Sequence, residues 1–106
     1  MRYRIYRHPE VTQDLFDIAD FIAEYAGIGV AERKLGQIER SICNLSETPH
    51  IGSVRNDLYP GLRAIPVARK GVMTFIVDDK KQAVFIVSIA YARTDWIGKL
   101  PQRFAR

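Results

Sequence analysis

Apolar residues recur with a helical period through the first half of the chain. The first stripe follows His8-Pro9-Glu10, which suits a helix start. Its steps of three and four residues join Val11, Leu15, Ile18, Ala19, Ile22 and Ala26. The second stripe, after Gly27-Ile28-Gly29, joins Ala31, Leu35, Ile38, Ile42 and Leu45. The two stripes predict two amphipathic helices that pack as an antiparallel hairpin.

Short runs with strand character flank this helical region. Residues 3–7 precede it, and residues 62–68, 72–77 and 83–90 follow it. The last run is almost continuously apolar, which predicts a strand buried on both faces inside the sheet. The polar stretch 78–82 predicts a hairpin loop before it. The order β-α-α-β-β-β indicates an α+β fold, an antiparallel-rich sheet with the helical hairpin packed on one face.

Proline and glycine mark the joint between the two halves. Pro49 predicts the end of the second helix, because proline disfavours the α conformation of the preceding residue and donates no helical hydrogen bond. Tyr59-Pro60-Gly61-Leu62 predicts a type II turn in which Gly61 has a positive φ. Gly36, inside the second helix, costs roughly 1 kcal/mol relative to alanine. It favours close approach of a neighbouring backbone, with a merely tolerated glycine as the alternative.

Length and composition fit one domain. The 106 residues, 47% of them hydrophobic, are expected to form a single domain over 1–106, with a loosely held tail at 96–106. The single cysteine, Cys43, permits no intrachain disulfide and fits a reducing compartment, so the cytoplasm is expected. The longest apolar run, 83–87, is too short to span a bilayer, and no membrane role is expected.

The sequence lacks most motifs of catalysis and metal binding. It has no phosphate-binding glycine-rich loop, no cysteine pair and no G-x-S-x-G motif. His8 and His50 lie at element boundaries without a second histidine or cysteine at metal-ligand spacing, so both are interpreted as solvated and no metal site is predicted. Asp14 and Asp17 are interpreted as part of the solvated face of the first helix.

Positive charge is concentrated in the second half of the chain. Lys+Arg number 16 against 12 Asp+Glu, and the net charge of +4 favours an acidic partner or nucleic acid. Arg63, Arg69 and Arg93 are expected on or beside the sheet, where guanidinium groups can bind carboxylates or phosphates. Ordinary surface ion pairs explain each of them equally well. Trp96 is interpreted as a buried anchor for the tail, with partner binding as the alternative.

The ordered set of these residues resembles the ParE-type toxins of the ParE/RelE superfamily, the toxic half of bacterial type II toxin–antitoxin pairs. The resemblance covers roughly residues 3 to 95. The matching residues are Asp14-Leu15 and Ile18, then Leu45, Pro49, Gly52 and Arg55, then Leu58 and Pro60-Gly61-Leu62-Arg63, and finally Arg93.

The resemblance implies one of two activities. RelE-like members cut messenger RNA on the ribosome, whereas ParE-like members poison DNA gyrase without a hydrolytic site of their own. This chain has Ile89-Ala90-Tyr91-Ala92-Arg93 where many relatives carry a histidine, and Thr74-Phe75-Ile76 where many carry an aromatic-Tyr-Arg run. RNA cleavage needs a proton acceptor, a proton donor and cations, and only the cations are plain in the sequence.

Gyrase inhibition is therefore the preferred hypothesis, with no enzymatic activity and no cofactor expected. Candidate partner-binding residues are Arg63, Arg69, Arg93 and Trp96. The resemblance also implies a cognate acidic, ParD-like antitoxin in a hetero-oligomer, with apolar anchors in the groove beside the helical hairpin and DNA bound only through the antitoxin.

Two alternatives remain open. The first is a ribosome-dependent endoribonuclease, for which the candidate catalytic residues are Tyr91, Arg93 and Arg63. The alternative interpretation of Tyr91 is that it is a packing residue on the sheet, without a catalytic role. The second alternative is a non-toxic domain that only binds an antitoxin.

Overall fold

The computed structural model describes residues 2–92 and 95–105, which form a five-stranded sheet and three helices. The elements in chain order are β1 (Arg4–Arg7), α1 (Val11–Ala26), α2 (Ile28–Asn44), β2 (Ser53–Val54), β3 (Leu62–Val67), β4 (Gly71–Asp78), β5 (Ala83–Tyr91) and α3 (Trp96–Phe104). The predicted α+β class, with a helical hairpin between β1 and the antiparallel strands, is confirmed. The short strand β2 and the helix α3 are additions to the predicted elements.

The sheet has the strand order β1-β5-β4-β3-β2. β1 runs parallel to β5, and the remaining neighbours are antiparallel. β5 therefore lies between β1 and β4, as its continuous apolarity predicts. Only Phe85 among the residues of β5 is exposed.

Glycines set two of the chain reversals. Gly27 alone joins α1 to α2 with a φ of 96°. At the predicted turn Gly61 has a φ of 78°, and the Leu62 N–H donates to the Tyr59 carbonyl at 3.0 Å. The positive φ at Gly61 is thus confirmed, and it needs a residue without a Cβ penalty.

Gly36 in α2 has room for a Cβ atom. Among the described residues, a Cβ at Gly36 would meet only Arg40 Nη1, at 3.8 Å. The expected close approach of a neighbouring backbone is therefore wrong, and Gly36 is a tolerated glycine.

Two apolar clusters lie on opposite faces of the sheet. The larger cluster packs under α1 and α2 and includes Ile65 of β3. The smaller cluster consists of Leu62, Val87 and Leu100. Since side chains alternate along a strand, Leu62 and Ile65 point to opposite faces of β3. The helical hairpin covers one face as predicted, and α3 packs against part of the other.

The loosely held tail expected at 96–106 is wrong for the described residues 96–104, which form α3. The Asp95 side chain accepts a hydrogen bond from the Gly98 N–H at 3.0 Å and caps the helix. Leu100 and Arg103 are buried. Gly98 and Pro101 disfavour helix formation, so tertiary contacts of these buried side chains hold the tail in place.

Candidate functional site

A cleft of about 1130 Å³ lies beside the helical hairpin, between α1, the start of α2, the β3–β4 turn and the end of β5. Its lining includes apolar residues that are also buried in the core: Ile18, Ile22, Ile89 and Ala90. The floor of the cleft is therefore apolar. It is an accessible part of the sheet face that the helical hairpin covers elsewhere.

Aromatic rings form one wall of the cleft. Phe21 and Tyr25 of α1 stack with ring centroids 5.9 Å apart, and Phe21 meets Tyr91 edge to face at 6.2 Å. Tyr91 is only 9% exposed, whereas Phe21 and Tyr25 are 49% and 76% exposed. Tyr91 is thus largely buried against the sheet and Phe21, whereas the two helical rings remain accessible.

Cations from three elements surround this wall. Lys34 comes from α2, Lys99 from α3, and Arg69 and Lys70 from the β3–β4 turn. The Lys70 ammonium lies 5.9 Å from the centre of the Tyr25 ring, a cation–π contact. Asp17 also lines the cleft, where its carboxylate accepts a hydrogen bond from Gln13 Nε2 at 2.9 Å.

The β3–β4 turn holds two non-glycine residues in the left-handed region. Ala68 has a φ of 48° and Arg69 a φ of 69°. The Lys70 N–H closes the turn by donating to the Ala68 carbonyl at 2.8 Å. Positive φ is uncommon for residues with a Cβ, so the turn keeps Arg69 at the rim of the cleft at some conformational cost.

A buried ion pair lies beside the cleft, between α1 and α3. Arg103 donates from Nη2 to Asp14 Oδ1 at 2.7 Å and from Nη1 to Asp14 Oδ2 at 2.9 Å. Asp14 and Arg103 are 2% and 7% exposed. Lys99 Nζ adds a third donor to Asp14 Oδ1 at 3.1 Å. The interpretation of Asp14 as a solvated residue is therefore wrong.

This ion pair completes the edge of β5. The ladder between β1 and β5 ends at the pair Arg7 and Ile86, and Val87 is an extra residue where the register with β4 shifts. Beyond that point the Ile89 N–H donates to Asp14 Oδ2 at 3.0 Å, and Arg103 Nη1 donates to the Val87 carbonyl at 2.9 Å. Two side chains thus satisfy backbone groups that a longer β1 would otherwise pair.

The environment of Asp14 favours its charged form. Burial alone would raise the pKa of the Asp14 carboxyl, but hydrogen bonds from Arg103, the Ile89 N–H and Lys99 together outweigh burial and hold the pKa below its ordinary value. The same pair raises the pKa of Arg103. Asp14 and Arg103 are charged partners that hold α3 against α1.

A signal for Asp14 was present in the sequence. Asp14 lies three residues after Val11 and four before Ile18, and these residues are all buried along one stripe of α1. A buried carboxylate is costly unless it is paired, so a carboxylate on an apolar stripe predicts a buried cation beside it. Asp17, by contrast, is exposed as predicted.

The predicted site residues that the structure describes lie at three separate places. Arg69 lines the cleft with Tyr91. Arg63, at the other end of β3, donates from Nη1 to the His50 carbonyl at 3.0 Å. Trp96 is half-buried on the opposite sheet face, with the Arg55 guanidinium 5.6 Å from its ring. Arg93 lies outside the described residues.

Neither histidine lines the cleft. His50 Nε2 lies 2.7 Å from Asp79 Oδ1, which also accepts a hydrogen bond from the Tyr3 hydroxyl at 2.7 Å. These groups adjoin the start of β5, and Tyr91 is at its end, eight residues after Ala83 and roughly 26 Å away at about 3.3 Å per residue. His8 Nδ1 accepts a hydrogen bond from the Glu10 N–H at 3.1 Å and lies half-buried after β1.

Residues 2–92 and 95–105 hold neither a metal-binding cluster nor a membrane-spanning helix. In that part of the chain, no three His, Cys, Asp or Glu residues are grouped so that they could hold a metal ion. No helix there has the length and apolar character needed to cross a membrane.

Comparison with known proteins places the chain in a family. The family model described as "ParE toxin of type II toxin-antitoxin system, parDE" matches residues 5–96. Among curated proteins, Toxin ParE3 of Caulobacter vibrioides is 38% identical over 64 residues, which cover 60% of this chain and 64% of that toxin's own length. The chain thus spans somewhat less than two thirds of this relative.

Solved structures share the fold. A chromosomal ParDE toxin–antitoxin system from P. aeruginosa matches with a TM-score of 0.73 at 19% identity, over 87% of this chain and 98% of that one. A free-state mutant of the E. coli RelE toxin matches with a TM-score of 0.63 at 18% identity, over the whole of both chains. The RelBE2 toxin–antitoxin complex from Mycobacterium tuberculosis matches at 0.62 and 14%, over 89% and 95%.

Proposed function

This chain belongs to the ParE toxin family of type II toxin–antitoxin systems, and we propose that it acts by inhibiting DNA gyrase in the cytoplasm. A cognate ParD-like antitoxin neutralises it by forming a hetero-oligomer. The solved relatives include toxin–antitoxin complexes, which supports an antitoxin as partner.

The composition of the cleft is the observation that favours gyrase over RNA as the target. The cleft offers cations and accessible aromatic rings, which are features of a binding surface. Its described lining contains no imidazole. Proton transfer there would depend on Tyr91, which is buried against Phe21. Such a surface suits a protein that inhibits by binding more than one that cleaves a phosphodiester.

Two assays on the same preparation test the proposal. The protein is expected to inhibit supercoiling by purified gyrase and to leave messenger RNA on programmed ribosomes intact. Tyr91→Phe keeps the packing of the ring and removes the hydroxyl, so it is expected to leave gyrase inhibition within about twofold of the unmodified protein. Cleaved messenger RNA with unaffected supercoiling would contradict the assignment.

The runner-up is a ribosome-dependent endoribonuclease, and one observation favours it. Arg69, Lys70 and Lys34 stand around the cleft into which Tyr91 packs, and cations of this kind can stabilise a phosphorane. If the protein cleaves RNA, Tyr91→Phe should lower the rate by about 10²–10⁴-fold, the usual contribution of a general acid or base. A non-toxic binding module would affect neither assay and would leave cell growth normal on induced expression.

A further inference from the structure

We propose that two copies of this chain form a dimer through the part of the sheet face that α3 leaves open. The interface has two parts, an aromatic ridge formed by Tyr6 of β1 and Phe85 of β5, and a sheet-face groove between this ridge and Phe104 of α3. A two-fold axis relates the copies, so the ridge of each fills the groove of the other. This dimer is independent of the cellular target of the toxin.

The aromatic ridge exposes two large rings on the surface of the sheet. Tyr6 and Phe85 are directly paired between β1 and β5, and their rings stack with centroids 5.3 Å apart. The two residues are 45% and 39% exposed, although β5 is otherwise buried. Contiguous apolar surface of this kind marks a protein interaction site, so the ridge indicates a surface that a partner covers.

The sheet-face groove runs directly beside the ridge and has a volume of about 310 Å³. Ile76 of β4 and Val87 of β5 line it on the sheet. Phe104 lines it from α3, and its ring is held by stacking on Tyr59 with centroids 3.7 Å apart. A ridge beside a groove of similar chemistry is self-complementary, because a two-fold rotation places each over the other.

The arginines that line the sheet-face groove are already compensated within the chain. Arg7 Nη2 lies 2.8 Å from Glu39 Oε1, and Arg103 Nη2 lies 2.7 Å from Asp14 Oδ1. The groove therefore offers little free positive charge to a phosphate or to an acidic peptide. An aromatic side chain fills it without leaving a charge unpaired, and the ridge of a second copy supplies two such side chains.

Opposite charges at the border of the ridge fit a second copy. Arg4 of β1 and Asp78 of β4 are both paired with Ala83 of β5, so they lie on the same sheet face roughly 10 Å apart, two strand spacings of about 4.8 Å. A two-fold axis brings Arg4 of one copy to Asp78 of the other. Since the exposed Lys80 and Lys81 follow in the adjoining loop, this pair fixes the orientation of the copies more than their affinity.

The proposed dimer leaves the cleft accessible in both copies. The cleft adjoins Tyr91 at the end of β5, on the sheet face that the helical hairpin covers. The ridge includes Phe85 near the start of β5, on the opposite face. Each copy can therefore still bind a partner through its own cleft.

Sedimentation velocity of the antitoxin-free protein over about a hundredfold range of concentration tests the aromatic part of the interface. The unmodified protein is expected to sediment as a dimer that dissociates on dilution. Phe85→Glu is expected to weaken dimerisation by at least about tenfold, because it places a charge in the apolar groove of the other copy. The control is Phe16→Glu on α1, which is 60% exposed and lies outside the described lining of the groove. It is expected to dimerise within about twofold of the unmodified protein.

Three results would overturn the proposal. They are a monomer at every concentration, equal weakening by the two glutamate variants, and a dimer that Phe85→Glu leaves intact. Thermal unfolding of both variants verifies that they are folded, since both positions are exposed. Weaker gyrase inhibition by Phe85→Glu of a protein that is always monomeric would assign the groove to the target instead, and also contradicts the dimer.

A charge exchange tests the two-fold arrangement. Arg4→Glu and Asp78→Lys are each expected to weaken dimerisation about threefold, because each places like charges together across the interface. The double variant restores opposite charges and is expected to dimerise within about twofold of the unmodified protein. Asp78 Oδ1 also accepts the Lys81 N–H at 3.1 Å, so the double variant is compared with Asp78→Lys, which shares any effect on the loop. Losses that simply add, without recovery, would overturn the proposed interface.

Discussion

Two groups of cations lie on either side of the end of β5, and they differ in how their charge is balanced. On one side Arg103 and Lys99 meet the buried carboxylate of Asp14. On the other side Arg69 and Lys70 stand exposed at the rim of the cleft. A buried charge is tolerated only when it is paired, so the first group has a structural role. Exposed cations need no partner in the folded chain, and they stay available for one in a complex.

Removing the buried carboxylate should have the largest effect. Asp14→Asn removes the buried counter-charge of Arg103, which keeps, among the described residues, only the exposed Glu10 carboxylate at 3.7 Å from its Nε, and is expected to lower the free energy of unfolding by about 3–5 kcal/mol. Urea denaturation at neutral pH measures it. The exposed Asp17→Asn on the same helix is the control, with a change within about 0.5 kcal/mol. Equal losses in both variants would show that the pair contributes no more than a surface charge.

Acid should erase the difference between the unmodified protein and Asp14→Asn. The pKa of Asp14 is lowered in the folded state, so its stabilisation is fully present above the unfolded-state pKa of about 3.9 and is lost as the pH falls through the lower folded-state pKa. The stability gap should therefore be constant between about pH 5 and 7 and shrink below about pH 4. A gap that narrows already near neutral pH would point to another titrating group.

Removing the exposed cations should weaken partner binding and leave the free energy of unfolding nearly unchanged. The double variant Arg69→Ala/Lys70→Ala is expected to change unfolding free energy by no more than about 0.5 kcal/mol. Its association with the antitoxin should be slower by about tenfold at low salt and nearly independent of salt. Stopped-flow association across a salt titration measures this, with Lys80→Ala/Lys81→Ala in the β4–β5 loop as the matched control. A loss of stability as large as that of Asp14→Asn would show that these exposed cations also have a structural role, as the buried pair does.

Gly36 provides the smallest change and a baseline for helix effects. A Cβ at this position meets only Arg40 Nη1 at an ordinary contact distance of 3.8 Å. Gly36→Ala is expected to raise the free energy of unfolding by about 0.5–1 kcal/mol through helix propensity, with antitoxin affinity unaffected. A lower thermal midpoint in Gly36→Ala would mean that a neighbouring group lies closer to this position than the structure shows.

The cleft shows how much of the candidate site the hydrophobic periodicity of the sequence predicts. The stripe through Val11, Ile18 and Ile22 predicts which side of α1 is buried, whereas partner binding in the groove beside the helical hairpin is implied only by the family resemblance. The rings of Phe21 and Tyr25, which make the cleft recognisable, were not among the predicted site residues. Their distance from Arg69 and Tyr91 in sequence hides them. The pairing of β4 with β5 places the β3–β4 turn beside Tyr91, and the packing of α1 against β5 brings Phe21 to that ring.

Local chemistry determined most of the elements of this chain, β2 and α3 excepted. Apolar periods set the two helices, Pro60-Gly61 set the reversal before β3, and continuous apolarity placed β5 inside the sheet. Each of these depends on neighbouring residues alone. The structure decided the partner of Asp14, the helical state of the tail and the grouping of cations at the cleft. These depend on contacts between residues up to 89 positions apart, such as Asp14 with Arg103, and a pattern in sequence does not specify which distant charge meets a buried one.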